Sequence, residues 1–226
     1  MPKLTIQRDA PAKINWFLEV LRKREDGYHE LLTIMQELEW CDTLTVSSRD
    51  DDQLLLTCDD PSLPTDGRNL VMKAALALRE LTGTRIGASI HLQKRVPSGG
   101  GLGGGSSDAA CTLLCLAELW GLDLASRPVR AQLHAVAAKL GSDINFFLEG
   151  PLAKCEGRGE IVTPLTGARA VSLVVVWPGV TVPTPIIFQS GRIQLTQKRE
   201  NGNNWHSGLA GNPIHWKLFN RLEQPC

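Results

Sequence analysis

At 226 residues the chain is long enough for one large domain or two small ones, each with its own core. Apolar residues make up 42%, an ordinary globular share, and Lys plus Arg equals Asp plus Glu at 24 each. No global field draws such a chain to nucleic acid or an anionic membrane, so any anionic ligand must be held locally.

Residues 3–20 alternate in hydropathy and are rich in β-formers; Pro11 interrupts them, which predicts two short strands. Thr33–Ser48 and Gln53–Cys58 read as further strands. From Asn69 to Leu81 the apolar positions Leu70, Val71, Ala74, Ala75 and Leu78 recur at helical spacing, with Gly83 as the stop. Ile86–Val96 returns to strand, with Ile86, Ala88, Ile90 and Leu92 on one face. After the glycine run Gly99–Gly105, a helix is predicted from about Ser106 to Trp120. Another opens near Pro128, turns Leu133, Val136, Ala137 and Leu140 inward, and stops at Gly141. The continuous apolar run Leu173–Trp177 predicts a buried strand. From Ser190 the chain is rich in Asn, Gln and Gly without a period, so it is either loosely ordered or part of an incomplete domain. Strands and helices interleave, so the class is α/β or α+β.

The six cysteines form neither a CxxC pair nor a zinc-like Cys/His cluster. Cys111 and Cys115, one helical turn apart, read as small buried apolar residues. Nothing resembles a signal peptide and no apolar run reaches a membrane span, so a reduced, cytoplasmic protein is expected, with no membrane or nucleic-acid partner.

The clearest chemical feature is Pro97-Ser98-Gly99-Gly100-Gly101-Leu102-Gly103-Gly104-Gly105-Ser106-Ser107-Asp108, with six glycines in seven residues. Bare backbone ahead of a helix converges free N–H groups and the positive dipole end on one place, which is the geometry that binds phosphate. Ser106 and Ser107 can cap the helix, contact phosphate oxygens or reach a Mg²⁺ ion. A plain strand-to-helix turn needs one or two glycines rather than six. The pattern GxxxxGK(S/T) is absent, since no Lys follows the glycines. Gly99-x-Gly101-x-x-Gly104 matches the dinucleotide fingerprint, yet no acidic residue ends a following strand, and the protein-kinase motifs are missing.

Pro97–Ala110 resembles the second signature of the GHMP kinases. Two further segments resemble the branch of that family that phosphorylates 4-diphosphocytidyl-2-C-methyl-D-erythritol. They are Ala10–Val20 with Arg24–Leu31, containing Asp26-Gly27-Tyr28-His29, and Leu140–Leu148 around Gly141-Ser142-Asp143. Pro178–Phe188 extends the likeness, which covers about residues 4–188. The resemblance implies an α+β, two-domain fold: a nucleotide domain over 1–155 with a left-handed βαβ unit, then a ferredoxin-like substrate domain over 156–226, expected to be incomplete. The family's third glycine-rich signature is not found, and Leu218–Pro225 resembles a later segment only faintly.

The implied reaction moves the γ-phosphoryl of ATP, with Mg²⁺, to the C2 hydroxyl of a cytidine diphosphate-linked small-molecule substrate in the non-mevalonate isoprenoid route. The protein is then a monomer or weak homodimer. Homoserine- or mevalonate-type kinases, and an inactive nucleotide-binding remnant, are the alternatives.

Phosphoryl transfer needs positioning, charge neutralisation and a base. Asp143, before the apolar Phe146-Phe147-Leu148, is the candidate base or else a helix-cap or turn aspartate. Lys13, among Ile14, Trp16 and Leu18, is either a strand-edge lysine or a cation with an anionic partner, and the family places it beside the aspartate. By the same resemblance Asn15, Tyr28, His29 and Phe188 contact the substrate, Phe188 stacking on cytosine. Alone, Phe188 reads as core and His29 as a turn residue. ATP-binding candidates are Pro97, Gly99, Gly100, Gly101, Leu102, Gly103, Gly104, Gly105, Ser106 and Ser107, with Asn69 and Lys94 on the adenine side. Asn69 alone reads as a helix cap, and Lys94 as a solvated strand lysine. Ser107 is also the candidate Mg²⁺ ligand.

Overall fold

The computed structural model describes residues 4–166, 170–180, 187–188, 193, 195 and 219–222. Its frame is a long antiparallel hairpin of β1 (Thr5–Lys23) and β2 (His29–Arg49). Period-2 alternation drives both strands: Ile6, Ala10, Leu44 and Val46 point to one face and are buried there. Residues 3–20 were expected as two strands, but the ladder runs through Pro11 with a register shift between Pro11 and Lys13. Proline lacks only one donor, and a bulge absorbs that loss without ending the strand.

β2 carries two further strands on its other edge. Its C-terminal half pairs with β4 (Gly87–Gln93), and its N-terminal half with β5 (Leu152–Gly157). β3 (Leu54–Cys58) lies parallel to β4, the two joined through α1 (Leu70–Thr82) as a βαβ unit. β6 (Ile161–Pro164) completes a hairpin with β5. β7 (Phe219–Asn220), inside the segment with the faint family likeness, pairs parallel with Phe17 and Leu18 of β1. Helices α2 (Gly104–Leu119), α3 (Arg127–Leu140) and α4 (Ile144–Glu149) follow the glycine run. Leu78, Leu113, Leu116 and Phe146 of the helices share one core with Leu44, Val46, Ile90 and Leu92 of the sheet. Cys111 and Cys115 lie buried in it as small apolar residues.

Other boundaries move as local physics dictates. Ile86 stays outside its strand and half exposed, and α2 begins at Gly104 rather than Ser106. The run Leu173–Trp177 forms no strand, with Val174 92% and Val176 83% exposed. A strand needs a hydrogen-bonded neighbour, and no described residue pairs with this run. The expected domain boundary at 155/156 falls inside β5, which continues the first sheet across it. Most of the expected second domain lies outside the described residues.

Candidate active site

The glycine run turns back on the sheet through Gly99, Gly101 and Gly103, all at positive φ. Gly103 is the tightest point. At φ 73° it opens α2, and a Cβ there would lie 2.9 Å from Lys13 Cγ and 3.0 Å from Phe147 Cζ. No side chain caps this end of α2, so its first-turn N–H groups face outward from exposed backbone at Gly105. Gly105 is helical and meets only Leu70, at 3.7 Å. Neither packing nor backbone conformation requires a glycine there.

The loop is held from below. Leu102 packs with Ala12 and Val96, and its carbonyl accepts the Lys13 backbone N–H at 2.8 Å. The register shift after Pro11, where Ala12 alone faces Leu38, Glu39 and Trp40 of β2, releases that N–H from the β2 ladder, so this irregularity of the hairpin carries the loop. The same register shift precedes the Lys13 side chain, which is 8% exposed. Its Nζ donates to Asn15 Oδ1 at 2.7 Å and lies 3.4 Å from Asp143 Oδ2. Asn15 Nδ2 donates to Thr33 Oγ1, and Thr33 in turn to the Phe17 carbonyl, each at 2.7 Å. This chain fixes the amide so that its oxygen faces the ammonium.

Asp143 precedes α4 but makes no side-chain cap bond, so the helix-cap reading fails. Its carboxylate is 30% exposed and turns to Lys13. Asn145, one residue into α4, donates to the Glu160 carbonyl at 2.9 Å and ties the β5–β6 turn to this corner. A Cβ on Gly159 of that turn would lie 3.6 Å from Asp143 Oδ1. Beneath the corner the buried Cys155 thiol is pushed up to about 12, by burial first and then by the Asp143 charge.

The two residues expected on the adenine side each have protein partners. Asn69 caps α1: its oxygen accepts the Val71 N–H at 2.9 Å, and its Nδ2 donates to the Pro64 carbonyl at 2.7 Å. Lys94 is not solvated. Its ammonium contacts Asp42 Oδ2 and lies 2.8 Å from Asp108 Oδ2, with both carboxylates buried. Asp42 also accepts the backbone N–H groups of Arg95 at 2.5 Å and Val96 at 2.8 Å. Burial pushes Asp108 up to about 7, with Lys94 opposing and Asp42 adding to the rise. This buried triad lies directly under α2, since a Cβ on Gly104 would meet Lys94 Nζ at 3.3 Å. Sequence reasoning gave neither aspartate a role. Parity held the signal: Asp42 shares the inward face of Leu44 and Val46, and a buried charge there demands a partner.

Ser107, the candidate Mg²⁺ ligand, opens onto a cavity. Among the described residues its buried hydroxyl has no hydrogen-bond partner, and it lines a cavity of about 230 Å³ together with Arg8, Asp9, Pro11, Cys111, Leu114 and Phe147. Among the described residues no three His, Cys, Asp or Glu side chains gather as a metal site.

Of the expected substrate residues, Tyr28 and His29 lie at the β1–β2 turn. The β1–β2 turn is set by Asp26, whose carboxylate accepts the Tyr28 N–H at 3.1 Å, leaving the Tyr28 ring half exposed. His29 and Phe188 stack, centroids 5.3 Å apart at 29°. Burial, and then Lys23, lower the His29 pKa, favouring the neutral ring. At that spacing no base fits between the rings, so a ligand base would lie on the outer face or edge of the pair.

Residues 69–150 match the model of the GHMP kinases N-terminal domain. The crystal structure of a 4-(cytidine 5'-diphospho)-2C-methyl-D-erythritol kinase superposes with a TM-score of 0.69 at 36% identity, covering 97% of this chain and 76% of that one. The chain belongs to the GHMP kinases. Among its relatives, the 4-diphosphocytidyl-2-C-methyl-D-erythritol kinase of Ralstonia nicotianae is 51% identical over 179 residues, 79% of this chain and 60% of that enzyme. That of Salinibacter ruber is 44% identical over 188 residues, 80% of this chain and 64% of that enzyme. The chain thus spans about three-fifths of the length of these GHMP kinases. A homoserine kinase from Cytophaga hutchinsonii, at 19% identity and a TM-score of 0.56, shares the fold. Among the described residues no helix is long and apolar enough to cross a membrane.

Proposed function

We propose that the chain transfers the γ-phosphoryl of ATP to the C2 hydroxyl of 4-diphosphocytidyl-2-C-methyl-D-erythritol. The observation that carries this is the Lys13–Asp143 pair, 3.4 Å apart, beside the bare N-terminus of α2. The amides from Gly99 to Gly105 take the phosphates of ATP, which enters as its Mg²⁺ complex. Asp143 accepts the hydroxyl proton, the alkoxide oxygen attacks the γ-phosphorus, and the bond to the β-phosphate bridging oxygen breaks to release ADP. Lys13 holds Asp143 in place and offsets negative charge gathering on the transferring group. The substrate specificity rests on the identity to named relatives and on the His29–Phe188 stack, with Tyr28 adjacent to His29 in the chain.

ADP release measured with the cytidine substrate, homoserine and mevalonate as acceptors tests the reading. Turnover of the cytidine substrate alone is expected, and Asp143→Asn should abolish it while ADP still binds. Turnover of homoserine or mevalonate instead, or nucleotide binding with no acceptor phosphorylated, refutes it.

A further inference from the structure

Arg158 stands between the two ends of this site and has no part in the scheme so far. It lies in the β5–β6 turn, next to the Gly159 that touches the Asp143 corner. Its guanidinium carbon is 4.8 Å from the centroid of the Tyr28 ring. One terminal nitrogen, Nη2, donates to the Ala138 carbonyl at 3.0 Å, in the last turn of α3, just before the Gly141–Asp143 segment. Nε lies 3.5 Å from Glu160 Oε1, while the other oxygen of Glu160 accepts the Arg158 backbone N–H at 2.6 Å. The other terminal nitrogen, Nη1, has no protein partner among the described residues. The side chain is a quarter exposed.

A guanidinium is a planar fork of five donors, suited to phosphate oxygens on its edge and to an aromatic ring on its face. Here the face is taken by Tyr28 and part of the edge is open. A nucleotide-diphosphate-linked alcohol with its base at Tyr28, His29 and Phe188 and its hydroxyl at Asp143 must lay its diphosphate between them, over the turn that carries Arg158. We propose that Arg158 is a further substrate-binding residue, holding the diphosphate of the cytidine-linked substrate while its face fixes the Tyr28 ring. This rests on the reading of the previous section for which ends of the substrate lie where.

The chemistry separates two contributions. The charge-assisted hydrogen bonds act only on ligands that carry the diphosphate, and the stacking acts through Tyr28 on any cytidine ligand. Titration calorimetry of wild type, Arg158→Gln and Arg158→Lys with cytidine 5'-diphosphate, cytidine and ADP tests both. Wild type should prefer cytidine 5'-diphosphate over cytidine. Arg158→Gln should weaken the diphosphate by about 10- to 100-fold and cytidine by no more than a few-fold, the range of one lost charge-assisted pair. Arg158→Lys, which keeps the charge, should restore most of that difference. ADP, held by the glycine run, should bind all three alike, which also reports that each variant is folded. Equal loss of cytidine and cytidine 5'-diphosphate in Arg158→Gln, or no loss, overturns the assignment and leaves the proposed function intact. A wild type that binds ADP but neither cytidine ligand overturns both.

Discussion

Gly103 and Gly105 are two residues apart in the same glycine run, one capping α2 and one inside it, and the structure predicts opposite outcomes when each becomes alanine. At Gly103, φ of 73° costs an L residue about 1–2 kcal/mol. Its Cβ would also stand 2.9 Å from Lys13 Cγ and 3.0 Å from a Phe147 ring carbon. The ring is in the core, so Lys13 must give way, and its ammonium leaves the 3.4 Å approach to Asp143. Gly103→Ala should therefore lose about 2–3 kcal/mol, near 5–10 °C in melting temperature for a chain of this size, together with turnover. Gly105 is helical, with ordinary contact at 3.7 Å. Alanine there removes the helix penalty of glycine and should stabilise the fold by about 0.5–1 kcal/mol. The same methyl group projects where phosphate oxygens must approach the first-turn amides, so ATP affinity should fall at least tenfold. Thermal melts with ADP titration of both variants decide it. A Gly105→Ala chain that gains stability and still binds ADP at wild-type strength would remove the phosphate cradle from this loop.

Two other perturbations probe what lies beneath the cradle. Lys13→Met keeps the packing against Gly103 but leaves Asn15 Oδ1 without its donor, so stability should fall by only about 1–2 kcal/mol while turnover falls by orders of magnitude; comparable losses in melting temperature and in rate constant at fixed folded fraction would argue against a chemical role. Asp108→Asn tests the buried triad through pH. The Asp108 carboxyl rises from an ordinary 3.8 to about 7, so the folded chain holds that proton more tightly than the unfolded one. Its stabilising contribution is complete below about 4 and is lost as pH climbs through 7, at most roughly 4 kcal/mol at about 1.4 kcal/mol per pH unit. Denaturant unfolding between pH 4 and 8 should show a decline in wild type that the variant lacks; parallel curves would exclude Asp108 as its source.

How much of this could be read before the coordinates depends on where each constraint resides. The helices of the βαβ half were legible because their signals are local: the Asn69 cap, the 3.6-residue spacing through Leu78, and Gly83 at φ 67°. The glycine run was legible because six glycines in seven residues exceed any turn's needs. What could not be read is whatever two distant segments make together. Leu173–Trp177 has the composition of a buried strand, but composition supplies no partner, and the described residues give it none. Lys94 looked like a solvated lysine because the two carboxylates that bury it come from β2 and α2. Arg158 and Tyr28 meet only because the β5–β6 turn folds over the end of the β1–β2 hairpin. Lys13 and Asp143 belong to the same class of long-range fact. A motif likeness placed them side by side, yet the physical cause is the register shift between Pro11 and Lys13, which leaves the Lys13 N–H to Leu102 and its side chain to the α4 corner. Closing that irregularity would pair Lys13 with Glu39 instead of Glu37, so the site depends on a backbone register that side-chain pattern alone does not encode.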